Sequence, residues 1–133
     1  MTAKQQRIMF YSAAIFNWCA CLVFFTPLGI AGALNLSHSV ALSDGPFEQV
    51  ALMAIALFGL GYWMVARNPD ANRGIVLLGL IGKLAVVAIF FGHYFLVGDV
   101  NFNLAGLTIG DIIYSGFFFQ FLKSPARQQE QQI

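Results

Sequence analysis

Charge is scarce in this sequence. Only 10% of its 133 residues are Asp, Glu, Lys or Arg, whereas a soluble domain carries roughly 25%. That shortage excludes an ordinary soluble protein. Neither acidic nor basic residues predominate, because the formal net charge is only +1. The chain therefore has no basic field that would neutralise a row of phosphates, and we expect no nucleic-acid partner.

Cysteine is nearly absent as well. Cys19 and Cys21 are the only two, and residues two apart on a helix point to different faces. This excludes a disulfide scaffold and disfavours redox chemistry of the Cys-x-x-Cys kind. Apolar residues are abundant instead, at 59% of the chain with 14 Phe. Such a composition is typical of an integral membrane protein, whose surroundings are the lipid bilayer.

Four apolar runs are long enough to cross a bilayer, since a hydrocarbon core of about 30 Å needs about 20 apolar residues per helix. They cover residues 8–34, 50–66, 74–97 and 104–122. Turn-forming residues separate them, as in Asp44-Gly45-Pro46 and Asn68-Pro69-Asp70. Short connections make neighbouring helices antiparallel. The sequence therefore predicts a single all-α domain over residues 1–133, an up-down four-helix bundle in a membrane.

Lysine and arginine mark one end of the predicted spans. Six of the seven basic residues lie before the first span, between the second and third, or after the fourth: Lys4, Arg7, Arg67, Arg73, Lys123 and Arg127. The connections at the opposite end have no lysine or arginine but contain Asp44, Glu48 and Asp99. Because basic residues favour the cytoplasmic side, we expect both termini to be cytoplasmic.

Three polar residues fall near the centre of three different spans. Counting about 1.5 Å per residue from the basic residue at the end of each span places Lys83, Asn17 and Asp111 about 15 to 18 Å deep. A lone Lys or Asp at that depth costs about 2.5 to 3.5 kcal/mol. We therefore predict an ion pair between Lys83 and Asp111, with Asn17 as a hydrogen-bonding neighbour. Ser115, on the same helix face as Asp111, and the adjacent Tyr114 complete this candidate site.

A second group of polar residues is expected at the outer edge. His38, Glu48, His93 and Asp99 lie in or beside the connections on that side. Imidazole and carboxylate groups are ligands of zinc and non-haem iron, but the spacing matches no metal motif and we expect no metal. Solvated loop residues, contacts to a ligand and a pH-sensitive lip remain as interpretations. Glu48 and His93 should lie at the same depth.

Other residues give expectations about packing. Pro27 predicts a kink in the first span, so the outer half of the bundle is the preferred place for a pocket. Gly106 and Gly110 form a Gly-x-x-x-Gly seam, within the bundle or between copies. Tyr62 is assigned to the cytoplasmic aromatic belt. The run Phe117-Phe118-Phe119 is expected to face lipid.

The second to fourth spans carry a pattern that resembles a known group. The residues are Gly61-Tyr62-Trp63, Ala66-Arg67-Asn68-Pro69-Asp70, Asn72-Arg73-Gly74, Gly79, Lys83 and Gly110-Asp111-Ile112-Ile113-Tyr114. With them the chain resembles small bacterial four-helix membrane proteins, similar in size and layout to the DoxX-like group. The resemblance implies a compact multi-pass bundle in the bacterial inner (plasma) membrane, sometimes associated with quinone-linked redox complexes. It supplies no catalytic residues.

Three functions are compatible with these features. The first is a transport or small-ligand-binding protein, forming a homo-oligomer or part of a larger membrane complex, in which Lys83, Asp111 and Asn17 exchange a proton or hold an anionic group. The second is a non-catalytic accessory subunit in which the pair only clamps the helices in register. The third is an enzyme acting on a quinone or lipid. Without a catalytic motif, we expect binding rather than catalysis and no cofactor.

Overall fold

The computed structural model describes residues 1–25, Leu34 and residues 45–126, and within these the chain is helical with no strand. The helices are α1 (Ala3–Phe24), α2 (Pro46–Arg67), α3 (Arg73–Gly92), α4 (Phe102–Leu107) and α5 (Ile109–Lys123). A π-helical turn, His93–Val97, continues α3. The fold is therefore all-α in the described part of the chain, as predicted.

Four helical segments are long and apolar enough to cross a membrane. They cover Ala3–Phe24, Pro46–Arg67, Arg73–Val97 and Phe102–Lys123. The last segment combines α4 and α5, which are separated at Thr108, where the side-chain hydroxyl donates to the carbonyl oxygen of Ala105 at 2.7 Å. Such a bond to the preceding turn loosens a helix locally. The described residues thus contain the four long apolar helical segments that were expected, while the break in the fourth was not predicted.

The first helix has other bounds than those predicted for the first span. α1 begins at Ala3 because Thr2 and Gln5 form a capping box: Thr2 Oγ1 accepts from the Gln5 amide at 3.2 Å, and Gln5 Oε1 accepts from the Thr2 amide at 2.8 Å. Its last helical residue is Phe24, and Leu34 lies in a turn, so the helix does not reach residue 34 unbroken. The kink expected at Pro27 lies outside the described residues.

The other spans start and stop close to their predicted bounds. α2 begins at Pro46, one turn earlier than predicted, because proline suits the first helical position, where its missing N–H is not needed. The third span ends at Val97 as predicted. Gly98 terminates it with φ +77°, a left-handed conformation that favours glycine, and its N–H donates to the His93 carbonyl oxygen at 2.7 Å.

The helices pack as antiparallel neighbours. α1 lies along α2, where Asn17 bonds to Ile55 and Cys21 to Leu52, so that residue numbers rise on one helix as they fall on the other. α3 lies along α5. Both cysteines are free. The helix order and these contacts agree with an up-down arrangement.

The hydrophobic core occupies one half of the bundle, towards the end that carries the termini and the connection between α2 and α3. Its fully buried side chains include Phe10, Tyr62, Val65, Val76, Phe118 and Phe121. The expectation that Phe117-Phe118-Phe119 faces lipid is wrong for its central residue, because consecutive helical residues point to different faces. Phe118 is fully buried, whereas Phe117 and Phe119 are exposed.

Candidate functional site

The predicted ion pair forms at the centre of the helices. Lys83 Nζ, on α3, donates to Asp111 Oδ1, on α5, at 2.5 Å and to Asn17 Oδ1, on α1, at 3.3 Å. The side chain of Lys83 is 5% exposed and that of Asp111 is 16% exposed. The three residues singled out by depth along the sequence therefore meet at one point, where each charge offsets the cost of burying the other.

Asn17 connects this site to the remaining long helix. Its Nδ2 donates to the carbonyl oxygen of Ile55 on α2 at 3.1 Å. Trp18 Nε1 donates to the Ala56 carbonyl oxygen at 3.2 Å, and Cys21 Sγ to that of Leu52 at 3.2 Å. These side chains would otherwise leave polar hydrogens unsatisfied in an apolar setting. All four spans are thus linked through one polar centre.

Aromatic rings surround the ammonium group of Lys83. Its Nζ lies 5.2 Å from the ring centre of Phe16 and 5.5 Å from those of Tyr62 and Tyr114, within the range of cation–π attraction. The assignment of Tyr62 to the aromatic belt is wrong, since it is 1% exposed. Phe16 and Tyr62 were missed because their positions depend on helix rotation, which depth along the chain does not give.

Glycines make room for these rings. A Cβ at Gly79 would overlap the ring of Tyr62, and one at Gly110 would overlap that of Phe16. Gly110 thus leaves room for the aromatic side chain of Phe16 within the bundle. A Cβ at Gly106, its partner in the predicted Gly-x-x-x-Gly seam, would meet no described atom within 4 Å. Of the two glycines of the seam, only Gly110 therefore makes room for a ring in the described structure.

Tyr114 contacts the Lys83–Asp111 pair, whereas Ser115 forms no hydrogen bond to it in the described structure. Tyr114 contributes its ring, while its hydroxyl donates to Ser12 Oγ at 3.0 Å instead of to Asp111. Ser115 is 5% exposed, and its Oγ has no hydrogen-bond partner among the described residues. It lies one turn from Asp111 on α5, but no hydrogen bond joins it to the pair in the described structure.

A cavity of about 430 Å³ lies directly against the pair. All four spans line it, mostly with apolar side chains. Its polar residues are Asn17, Glu48, Tyr62, Lys83, Thr108 and Asp111; its large apolar ones include Phe24, Phe58, Phe90 and Leu104. Mostly apolar walls, a few convergent polar groups and a volume between about 300 and 1,000 Å³ are typical of small-molecule sites. Asn17, Lys83, Thr108 and Asp111 are called the floor below.

Glu48 lies at the other end of this cavity. It is seven residues before Ile55, whose carbonyl accepts from Asn17, which corresponds to about 10 Å along the helix axis. The carboxylate lies close to Gly45 at the start of α2. No ion pair joins Glu48 to a basic side chain within residues 1–25 and 45–126.

The outer-edge residues do not form one cluster in the described part of the chain. His93 Nδ1 lies 2.9 and 3.0 Å from the two carboxylate oxygens of Asp99, with both side chains about half exposed. The cavity lining includes Glu48 but not His93. His38 and Asp44 lie outside the described residues. Among those described, no three potential metal ligands come together.

No protein family, curated protein or solved structure matches this chain. The resemblance to the DoxX-like group stays a prediction. The site consists of an internally neutralised ion pair, held by an amide and three rings, at the floor of an apolar cavity with one carboxylate at its far end.

Proposed function

We propose that this protein is a small multi-pass protein of the bacterial inner membrane that binds, or carries across the membrane, a small and largely apolar molecule. The ligand would occupy the cavity above Lys83, Asp111 and Asn17. The observation that supports this most is the space itself. A pure packing clamp would be covered by side chains, whereas among the described residues a cavity of about 430 Å³ reaches the pair.

The lining indicates what kind of molecule would fit. Apolar side chains cover most of the wall, so the body of the ligand is apolar. The floor offers hydrogen bonds to one polar group. A lysine ammonium has three N–H donors, and Asn17 and Asp111 accept two of them. The third has no acceptor among the described residues and would serve an acceptor on the ligand.

Distribution of the basic residues supports an orientation with both termini in the cytoplasm. Lys4, Arg7, Arg67, Arg73 and Lys123 all belong to the end of the helices that holds the termini and the connection between α2 and α3. That end also contains the filled core, so the cavity lies in the extracytoplasmic half. A ligand would then enter from outside the cytoplasm or from the outer leaflet.

The accessory-subunit function has one observation in its favour. Lys83 and Asp111 neutralise each other and join three helices, which is what a register clamp requires. Catalysis has less support, because the described lining contains no histidine and its one acid–base pair is already bonded to itself. Binding and clamping are therefore the two functions that an experiment must separate.

Filling the cavity tests the binding function. Ala54 lines it, whereas Ala85, on α3, is exposed and outside the lining. Small molecules retained by the full chain in lipid discs would be extracted and quantified by mass spectrometry. Ala54→Leu should reduce at least one retained species about tenfold, equivalent to about 1.4 kcal/mol, and Ala85→Leu should not. Identical molecules in identical amounts from all three proteins would refute the binding function.

A further inference from the structure

The charges along the described walls of the cavity do not sum to zero. Lys83 and Asp111 cancel, since their charged atoms are 2.5 Å apart. Glu48, at the opposite end, has no basic partner in the described lining. With Glu48 ionised, the described walls therefore carry one net negative charge. In an apolar cavity such a charge acts more strongly than in water.

The walls are also rich in aromatic side chains. Phe16, Phe24, Phe58, Tyr62 and Phe90 all line the space. The faces of aromatic rings attract cations, most strongly where water is excluded. Two of these rings, Phe16 and Tyr62, already lie near the ammonium group of Lys83. The cavity is thus built from groups that tolerate an organic cation.

The dimensions of the cavity agree with those of a single organic ion. About 10 Å of helix α2 separate Glu48 from the floor, and the wall between them includes Ala51, Leu52 and Ala54. An ion with a delocalised or shielded positive charge could place its apolar surface against this wall and remain under the influence of Glu48. An anion would meet Glu48 and Asp111, while Lys83, the one basic side chain in the described lining, is already paired.

We propose that the cavity selects a monovalent lipophilic cation, of the aromatic ammonium or phosphonium kind, with Glu48 as its counter-ion. This inference rests on the proposed function, because it names the ligand class of the same cavity. It replaces the expectation that Lys83 holds an anionic group. Lys83 and Asp111 then act as a neutral polar floor.

A structural role for Glu48 must be separated from this one. A carboxylate in the first turn of a helix stabilises that helix whatever the cavity holds, so a loss of stability alone would say nothing about ligands. A suitable readout is the charge preference for two ions of the same shape. Tetraphenylphosphonium and tetraphenylborate form such a pair, and neither carries a hydrogen-bonding group that would involve the floor.

The test is equilibrium binding of both ions to the full chain in phosphatidylcholine discs, with empty discs subtracted. We expect the phosphonium ion to bind saturably and at least about tenfold more tightly than the borate ion. Glu48→Gln should weaken phosphonium binding about tenfold, and Glu48→Asp should retain most of it. Asp99→Asn removes a carboxylate from the same end but outside the described lining, so it should change nothing.

The outcomes distinguish the two proposals. Preference for borate, equal binding of both ions, or phosphonium binding that Glu48→Gln leaves intact overturns the cation inference and leaves cavity binding standing. Absence of saturable binding for both ions also overturns it. The proposed function falls as well only if Ala54→Leu leaves the retained small molecules unchanged. The preference of the unmodified protein for the phosphonium or the borate ion is measured without any variant. The cation inference can therefore be decided even if a variant fails to fold.

Discussion

Lys83 has three kinds of partner. The carboxylate of Asp111 carries the opposite charge, the amide oxygen of Asn17 accepts a hydrogen bond, and three ring faces surround the ammonium group. The ion pair and the ring contacts depend on the positive charge, which also strengthens the hydrogen bond to Asn17. Removal of the lysine alone therefore leaves Asp111 buried without its counter-charge, which is more costly than the absence of the whole pair.

Stability of single and double variants tests this dependence. Lys83→Met should lower the free energy of unfolding by about 3 to 5 kcal/mol, because it strands Asp111. Lys83→Met combined with Asp111→Leu should recover most of that loss. Reversible unfolding in mixed micelles measures both. If the single variant is as stable as the unmodified protein, the pair is not buried as described here.

The packing of the Tyr62 ring against Gly79 gives a second prediction. Gly79→Ala should cost about 1 to 3 kcal/mol, because the added methyl overlaps Tyr62 and overpacking of a filled core costs that much. The ring cannot withdraw freely, as it packs on Phe118 with ring centres 5.0 Å apart. Gly74→Ala, on the same helix with nothing described within 4 Å, is the matched control and should cause no loss. Equal effects of the two changes would contradict the packing described.

Residues of the site differ in how far the sequence reveals them. Lys83, Asp111 and Asn17 could be found because charge and amide groups in mid-span are costly, and depth follows from counting along a helix. Phe16 and Tyr62 could not, since phenylalanine and tyrosine occur against lipid, in an aromatic belt and in a core. Only the rotation of α1 and α2 decides, and it depends on packing between helices.

The positions where helices begin depend more on capping residues and proline than on where the apolar runs begin. α1 extends beyond its apolar run because of Thr2 and Gln5, and α2 starts at Pro46 for the same kind of reason. Counting apolar residues finds the number of spans but places such ends poorly. Arg73, the first residue of α3, fixes the start of that helix to α5, since its Nη2 donates to the carbonyl oxygens of Leu122 and Ser124, both at 2.7 Å.

Loss of Arg73 should loosen the end of α5. Its guanidinium also lies over the ring of Phe121 at 4.7 Å. Arg73→Gln should increase amide hydrogen exchange in the last turn of α5 about tenfold or more, since hydrogen bonds to a charged group contribute about 1.5 to 3 kcal/mol. Arg67→Gln is the control, because Arg67 contacts the ring of Trp63 and lies on α2. Unchanged exchange at Leu122 and Lys123 in Arg73→Gln would contradict this role.

Within residues 1–25 and 45–126, the bundle is divided between a filled half and a half that contains the cavity. Buried aromatic and aliphatic side chains occupy the end near the termini, while the cavity occupies the other end, from the floor up to Glu48. The sequence predicts a pocket in that half, on the basis of a kink at Pro27 that lies outside the described residues. Its size and lining could not be predicted, because they depend on how four helices diverge.

Orientation in the membrane is testable with reporters. Enzyme reporters active only in the cytoplasm, fused to either terminus, should both be active. A reporter active only outside the cytoplasm, inserted after Val100 between the third and fourth spans, should be active as well. The reason is the placement of basic residues at the end that carries the termini. Activity of the two terminal fusions in opposite compartments would exclude four spans arranged as described.

The most direct test of the central claim is the retention of small molecules by the double variant Lys83→Met and Asp111→Leu. The claim is that the pair forms the floor of a ligand site and is more than a clamp. We predict a double variant that is folded and monodisperse in lipid discs but retains about tenfold less of the molecules held by the unmodified protein. A folded double variant that retains them in full would contradict the claim and identify the pair as a clamp alone.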